Sequence, residues 1–195
     1  MTPLAEQEAH VYTDGSSTGS RGPGGYGVVI YYWNGKTEEI SGGEQDTTNL
    51  RMEITAAWVA LETIDEGHVV TVYSDASYLV NCMRRGWYEN WRENGWLNHR
   101  KEQVANRDLW ERLLEATQRH QEVRWKKVKG HSKTRSPHKS GNDRADELAV
   151  AAKKEATRSP TSPLPYAISC ANPPPSDRFA NLNCQGLREV SFTCF

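Results

Sequence analysis

Apolar and polar positions change their period several times between Ala9 and Ala156, and each change marks an element. Val11-Tyr12-Thr13 runs into Asp14-Gly15-Ser16, which predicts a short strand ending in a turn. A β-branched and aromatic run from Tyr26 to Trp33 predicts a second strand, bounded by Gly24-Gly25 and by Asn34-Gly35. Asn-Gly between two such runs is a strong hairpin signal, so Lys36 to Ser41 is predicted to pair back as the third strand. Leu50, Ile54, Ala57, Leu61 and Ile64 then follow at helical spacing and put one apolar stripe on a helix face. Val69 to Tyr73 is a short apolar strand closing at Ser74-Asp75. Helices are predicted over Tyr78 to Arg85 and over Asp108 to Arg119, the latter with Leu109, Leu113 and Ala116 on one side. Glu122 to Lys129 alternates through Val123, Trp125 and Val128 as a strand with one solvated face, and Asp143 to Glu155 is a final Ala-rich helix. Hairpin strands followed by alternating helix and strand imply an α/β domain around a mixed sheet.

Beyond Thr157 this periodicity stops. The remaining stretch holds six of the nine prolines, so a flexible Pro-rich tail is expected over 157–195, after a domain at 9–156 and an N-terminal extension at 1–8. Lys and Arg total 24 against 25 Asp and Glu, a net charge of −1 that excludes a uniformly basic nucleic-acid coat. No apolar run approaches the roughly 20 residues of a membrane span. The first ten residues carry Glu6 and Glu8 without an apolar core, so no secretory signal is expected and a cytoplasmic protein is. Cys82 reads as a small core residue, while Cys170, Cys184 and Cys194 fall in the tail; no CxxC spacing supports a zinc site.

Four acids resist a bland reading. Asp14 follows an apolar strand, Glu53 lies on or beside the buried stripe of its helix, Asp75 ends a strand, and Asp146 neighbours Ala145 and Leu148 on the last helix. Taken singly, Asp14 could form a turn, Asp75 could cap a helix, and Asp146 could answer a helix dipole. Glu53 is harder to set aside, because a core-facing carboxylate must be paired or coordinate a metal. Strand ends and helix starts converge on one edge of an open α/β sheet, where Asp14 and Asp75 could face Glu53. Clustered carboxylates repel one another and need cations, and oxygen ligands favour Mg²⁺ or Mn²⁺ over zinc. Such clusters serve two-metal phosphoryl chemistry.

The chain resembles the type 1 ribonucleases H, the bacterial form in particular. The resemblance rests on Tyr12-Thr13-Asp14-Gly15-Ser16, Gly22-Pro23-Gly24-Gly25-Tyr26-Gly27, Asn49-Leu50-Arg51-Met52-Glu53, Ser74-Asp75, Asp108-Leu109-Trp110, Val128-Lys129-Gly130-His131 and Asp146-Glu147-Leu148-Ala149. These segments keep their order over roughly residues 8–156. The resemblance implies a ribonuclease H-like fold, with a mixed five-stranded sheet (three antiparallel strands, then parallel ones) flanked by helices. It implies endonucleolytic hydrolysis of the RNA strand of RNA–DNA hybrids, leaving 5′-phosphate and 3′-hydroxyl ends. Asp14, Glu53, Asp75 and Asp146 match the family's metal-binding carboxylates, two Mg²⁺ ions being expected with substrate and Mn²⁺ as a substitute. His131 matches a loop histidine that assists proton transfer or product release, and its near-neutral titration suits that role.

On the substrate side the resemblance implies contacts from Gly15, Ser16, Ser20, Asn49, Ser77 and Asn142, with Thr48 near a DNA phosphate and Trp87 and Trp91 lining a DNA-strand channel. Hydroxyl and amide groups suit sugar and phosphate contacts that ignore base identity. Thr48 and Asn49 also read as helix caps, and the two tryptophans as packing residues. Between Arg124 and Arg144 stand eight Lys or Arg against one acid, Asp143, which lets a chain of net charge −1 hold a polyanion. The sequence departs from the family at Ser20, Leu50 and Asp46. The stretch around Trp87, Trp91 and Trp96, which matches the family's substrate-handle region, is less basic at Glu93, Asn94, Leu97 and Asn98, and the loop from His131 to Asn142 is longer and carries Lys133, Arg135 and Lys139. That loop is expected to supply phosphate contacts that the handle lacks. The partner implied is the hybrid itself, bound by a monomer without an obligate protein partner or membrane. Competing readings are a catalytically weak hybrid-binding module, a retroelement-derived ribonuclease H domain or related integrase-like nuclease, and an adaptor acting through the Pro-rich tail.

Overall fold

The hairpin signals place the first three strands. In the computed structural model, which describes residues 7–130 and 138–158, β1 (Glu8–Ser17), β2 (Gly22–Tyr31) and β3 (Thr37–Thr47) form an antiparallel meander. The Asn34-Gly35 turn closes as expected, with Gly35 at φ 83° and Tyr32 N–H donating to Lys36 O at 2.9 Å. Helix α1 (Asn49–Thr63) then crosses to β4 (Val69–Ser74), which pairs parallel with β1. Helices α2 (Ser77–Arg85), α3 (Trp87–Glu93) and α4 (Arg107–Gln118) lead to β5 (Glu122–Lys127), parallel to β4. The sheet order is β3-β2-β1-β4-β5, and α5 (Lys139–Arg158) completes the described chain.

The pleat divides the core between two faces. Val11, Val28, Ile30, Val70 and Val72 face α1, α2 and α4 in the larger cluster, which also takes in buried Cys82 and the tryptophans Trp91, Trp96, Trp110 and Trp125. Tyr12, Val29 and Tyr73 point the other way and pack with Ala145 and Leu148 of α5. The predicted α1 stripe is buried at Ile54, Ala57, Leu61 and Ile64, with Leu50 half-buried. Met52, Glu53, Ala56, Val59 and Ala60 are buried as well, so α1 is enclosed on nearly every side.

Helix α5 lies across β1, β2 and β3. It can do so because β2 presents glycine beneath it: a Cβ on Gly27 would collide with the backbone oxygen of Ala145, and one on Gly25 with the backbone of Ala149 and Lys153. Glycine in a strand interior commonly marks such an approach of another backbone. Gly27→Ala is therefore expected to destabilise the fold by about 1–3 kcal/mol, as overpacking does. It should also lower the cleavage activity that the resemblance implies, by lifting the helix that carries Asp146. Urea unfolding and turnover of the same preparation check this.

Three local expectations change. Asp14 lies inside β1, paired with Gly27, rather than in a turn, because the strand runs on to Ser17. Helix α5 begins at Lys139 instead of Asp143, so Lys139 to Asn142 are helical rather than loop. The third strand continues past Ser41 to Thr47. His131, Lys133, Arg135, the N-terminal residues to Glu6 and the tail with Cys170, Cys184 and Cys194 lie outside the described residues.

Candidate catalytic and metal-binding site

The parallel pairing of β1 and β4 brings the first two acids together. Tyr12 stands opposite Tyr73, so Asp14 and Asp75 each follow the matched pair by two residues at the same sheet edge. Asp75 follows the last residue of β4 and does not cap α2, whose N-cap is Ala76. Glu53 arrives from α1, which is held close because Gly15 has no side chain: a Cβ there would strike the backbone of Met52 and Glu53. Thr48 fixes the start of that helix by accepting from Arg51 N–H at 3.3 Å. Oxygen atoms of Asp14, Glu53 and Asp75 all lie within 4.8 Å of one another. Asp146, on the part of α5 above β2, acts on Asp14 both through its charge and through a hydrogen bond.

Burial and crowding make this cluster electrostatically costly. Asp14 and Glu53 are 8% and 7% exposed. Burial first, then the Asp14 and Asp75 charges, push the Glu53 carboxyl up to about 8, against the opposing donation of Asn49. Burial and the charges of Asp75 and Asp146 likewise lift Asp14 well above the usual carboxylate range, although Gly15 N–H donates to its Oδ1 at 2.8 Å. Asn49 Nδ2 donates to Glu53 Oε1 at 2.8 Å, while Glu53 Oε2 is buried with no hydrogen-bond partner. An orphaned buried carboxylate oxygen beside two further carboxylates is what a hard divalent cation would satisfy, so the residues present fit such an ion.

The expected substrate residues scatter around this centre. Gly15, Thr48 and Asn49 adjoin it as described, and Ser16 accepts from Lys153 Nζ at 2.7 Å. Ser20 and Ser77 are exposed, Ser20 between β1 and β2 and Ser77 at the start of α2. Asn142 stands one turn before Asp146 on α5, its amide oxygen buried without a partner. Trp87 and Trp91 share α3, but only Trp87 is half-exposed, its ring set against Tyr78. Trp91 is 8% exposed with its ring against Trp96 and Trp110, so its side chain builds the core. Asp46 is exposed, and Arg21 holds it with two hydrogen bonds at 2.6 and 2.8 Å.

The basic run also narrows. Arg124 pairs with Glu122 and Glu8, Lys139 with Asp143, and Arg144 with Glu39 and Glu147. Lys126, Lys127 and Lys129 keep no acidic partner among the described residues. Sequence reasoning passed over Lys153, whose only signal is its place seven residues after Asp146, two turns along the same face of α5. Gly130 lies against Asp75, where any Cβ would meet the carboxylate, and this seats the residue before His131 at the site.

Known proteins resemble this chain in sequence and in fold. The family model described as RNase H matches residues 6–154. The chain is 51% identical over 146 residues to a ribonuclease H of Moorella thermoacetica, covering 75% of this chain and 91% of that protein. It is 44% identical to the ribonuclease HI of a Synechocystis species, covering 73% and 85%. Among solved structures, LC9-RNase H1, a type 1 RNase H with the type 2 active-site motif, superposes with a TM-score of 0.65 at 27% identity over 77% of this chain and 74% of that one.

Proposed function

The chain belongs to the ribonuclease H family, and on that premise we propose that Asp14, Glu53, Asp75 and Asp146 are the carboxylates that bind its catalytic cations. It is a bacterial-type endoribonuclease that hydrolyses the RNA strand of RNA–DNA hybrids and leaves 5′-phosphate and 3′-hydroxyl ends. The observation that carries the assignment of residues is the buried, mutually repelling set of Asp14, Glu53 and Asp75 with one orphaned oxygen on Glu53.

Bound Mg²⁺ supplies two things in this family's chemistry: a water acidic enough to attack at neutral pH, and charge stabilisation for the departing 3′-oxygen. The chain's own residues set the stage for both. Asn49 holds one oxygen of Glu53 and leaves the other directed to the cluster. Gly15 N–H orients Asp14, and the absence of a side chain at Gly15 keeps β1 and α1 close enough for both acids to serve one centre. Gly130 sits against Asp75 and brings the chain to His131, to which we assign proton handling at the departing oxygen.

For the substrate, Gly15, Ser16, Ser20, Asn49 and Asn142 are assigned to the RNA side, Thr48, Ser77 and Trp87 to the duplex around it. Their hydroxyl, amide and backbone groups bond 2′-hydroxyls and phosphates without reading sequence. Trp91 supports that surface from within the core. None of the helices among the described residues is long and apolar enough to cross a membrane, and the enzyme is assigned to the cytoplasm as a monomer. A pure binding module would gain nothing from acids that repel its own polyanionic ligand.

Cleavage of an end-labelled RNA–DNA hybrid is the test, with single-stranded RNA, double-stranded RNA and double-stranded DNA alongside. Hybrid-only cutting that requires Mg²⁺ is expected. Tight hybrid binding without cutting in Mg²⁺ or Mn²⁺ would transfer the protein to the binding-module class.

A further inference from the structure

The edge of the sheet beyond β4 carries cations that the fold itself does not neutralise. Arg84, Arg124, Lys126 and Lys127 line one open cleft of about 480 Å³ around β5, floored by Tyr73 and Trp125. Arg124 is held by Glu122 at 2.6 Å and Glu8 at 3.4 Å. Arg84, Lys126 and Lys127 have no acidic partner among the described residues; Lys126 Nζ rests 5.5 Å from the centre of the Tyr73 ring. Arg21, Arg51, Arg107, Arg119 and Arg144 are paired with carboxylates, whereas Arg84, Lys126 and Lys127 share one cleft with no acid among its lining residues.

The cleft borders the strand that leads to Asp75. Lys126 and Lys127 stand opposite Tyr73 and Ser74, the two residues that precede Asp75. The pleat sends Lys126 to the face shared with Tyr73, and Lys127 to the face on which α2, ending near Arg84, packs against β5. The cations therefore flank the strand edge from both sides. Tyr73 and Trp125 are only 3% and 8% exposed, which leaves no free ring for a base to stack upon. What can bind here is a run of phosphates, recognised by charge alone.

We propose that Arg84, Lys126 and Lys127 form a phosphate-tracking surface for the nucleic-acid backbone on the β5 side of the catalytic carboxylates, a contact outside the α3 handle region and the long loop. The inference rests on the hybrid-nuclease reading above and adds the residues that extend its footprint. A rival role for lysines on an edge strand is to discourage edge-to-edge association of two sheets. The two roles separate cleanly, because only the first ties these side chains to substrate.

The test is the triple variant Arg84→Gln/Lys126→Gln/Lys127→Gln, with Arg84→Lys/Lys126→Arg/Lys127→Arg as the charge-conserving control. With a long RNA–DNA hybrid the Gln variant is expected to raise KM about tenfold while kcat holds. Its slope of log affinity against log salt should shrink by roughly two to three, since each phosphate contact contributes about 0.9. The charge-conserving variant restores both. Unchanged KM and salt slope would overturn the proposal, and self-association of the Gln variant in sedimentation with unchanged KM would assign the lysines to edge protection. Should the wild-type chain bind hybrid without cutting it in Mg²⁺, the nuclease reading fails. The salt slope of binding then still decides the surface on its own.

Discussion

Asp14→Asn abolishes cleavage and leaves hybrid binding intact or tighter. Cutting of an RNA–DNA hybrid in Mg²⁺ is expected to fall by roughly 10³-fold or more, equivalent to about 4 kcal/mol on the barrier. Asp14 is the acid on which the others converge: Asp75 and Asp146 both act on it, and Glu53 feels its charge. Replacing one carboxylate oxygen by an amide nitrogen removes a proposed ligand and a negative charge from the site to which the divalent cations are assigned. The isosteric side chain still fills its place between β1 and α1, so the fold has no reason to move. Binding gains from the change, because one fewer negative charge faces the polyanion. Equal loss of binding and cleavage would instead make Asp14 a structural residue. Retention of cleavage above about a tenth of wild type would place the catalytic cations elsewhere.

Much of this site was legible before any coordinates because period and chemistry conflict where function lies. Glu53 interrupts the stripe of Leu50, Ile54 and Ala57, and Asp75 ends an otherwise apolar strand. Such insults to a core survive only with a use. The fold class followed from equally local signals, the Asn34-Gly35 turn and the change from period two to helical spacing. What remained hidden depends on partners distant in the chain. Nothing in the run from Arg124 to Arg144 says that Arg144 will meet Glu39, 105 positions away, or that Arg124 will meet Glu8. Charge counted along the sequence therefore overstated the free charge on the surface. Trp87 and Trp91 share a helix face by spacing alone, yet spacing cannot tell whether that face turns inward; Trp96 and Trp110 decide it for Trp91. The glycines of β2 carried a motif whose physical reason, the seat of α5, needs both elements in view.

The same buried carboxylates make the stability of the metal-free protein fall as pH rises. Glu53 titrates near 4.5 when unfolded and at about 8 when folded, so between these values the folded chain holds a proton that the unfolded chain has released. Stability then declines with pH, since the unfolded state binds fewer protons. The contribution is intact below about pH 4.5 and fully lost above about pH 8. Asp14 shifts in the same direction for the same reasons. Glu53 alone is expected to cost about 4 kcal/mol between pH 5 and pH 8 in chelator, and Asp14 deepens the loss. His120 works oppositely: burial lowers its pKa, so its contribution is lost as pH falls below about 6.5. The Asp14→Asn/Glu53→Gln variant isolates the acids, because it keeps His120 and should be more stable than wild type at pH 8.5 without metal. Adding Mg²⁺ should narrow that gap. Wild type gains about 2.7 kcal/mol at a hundredfold excess over Kd, while the variant, stripped of the charges that hold the ion, gains little. Chemical denaturation across pH 5 to 8.5, with chelator and with Mg²⁺, reads all of this. Parallel profiles for the two proteins would mean that the clustered carboxylates carry no electrostatic strain for a cation to relieve.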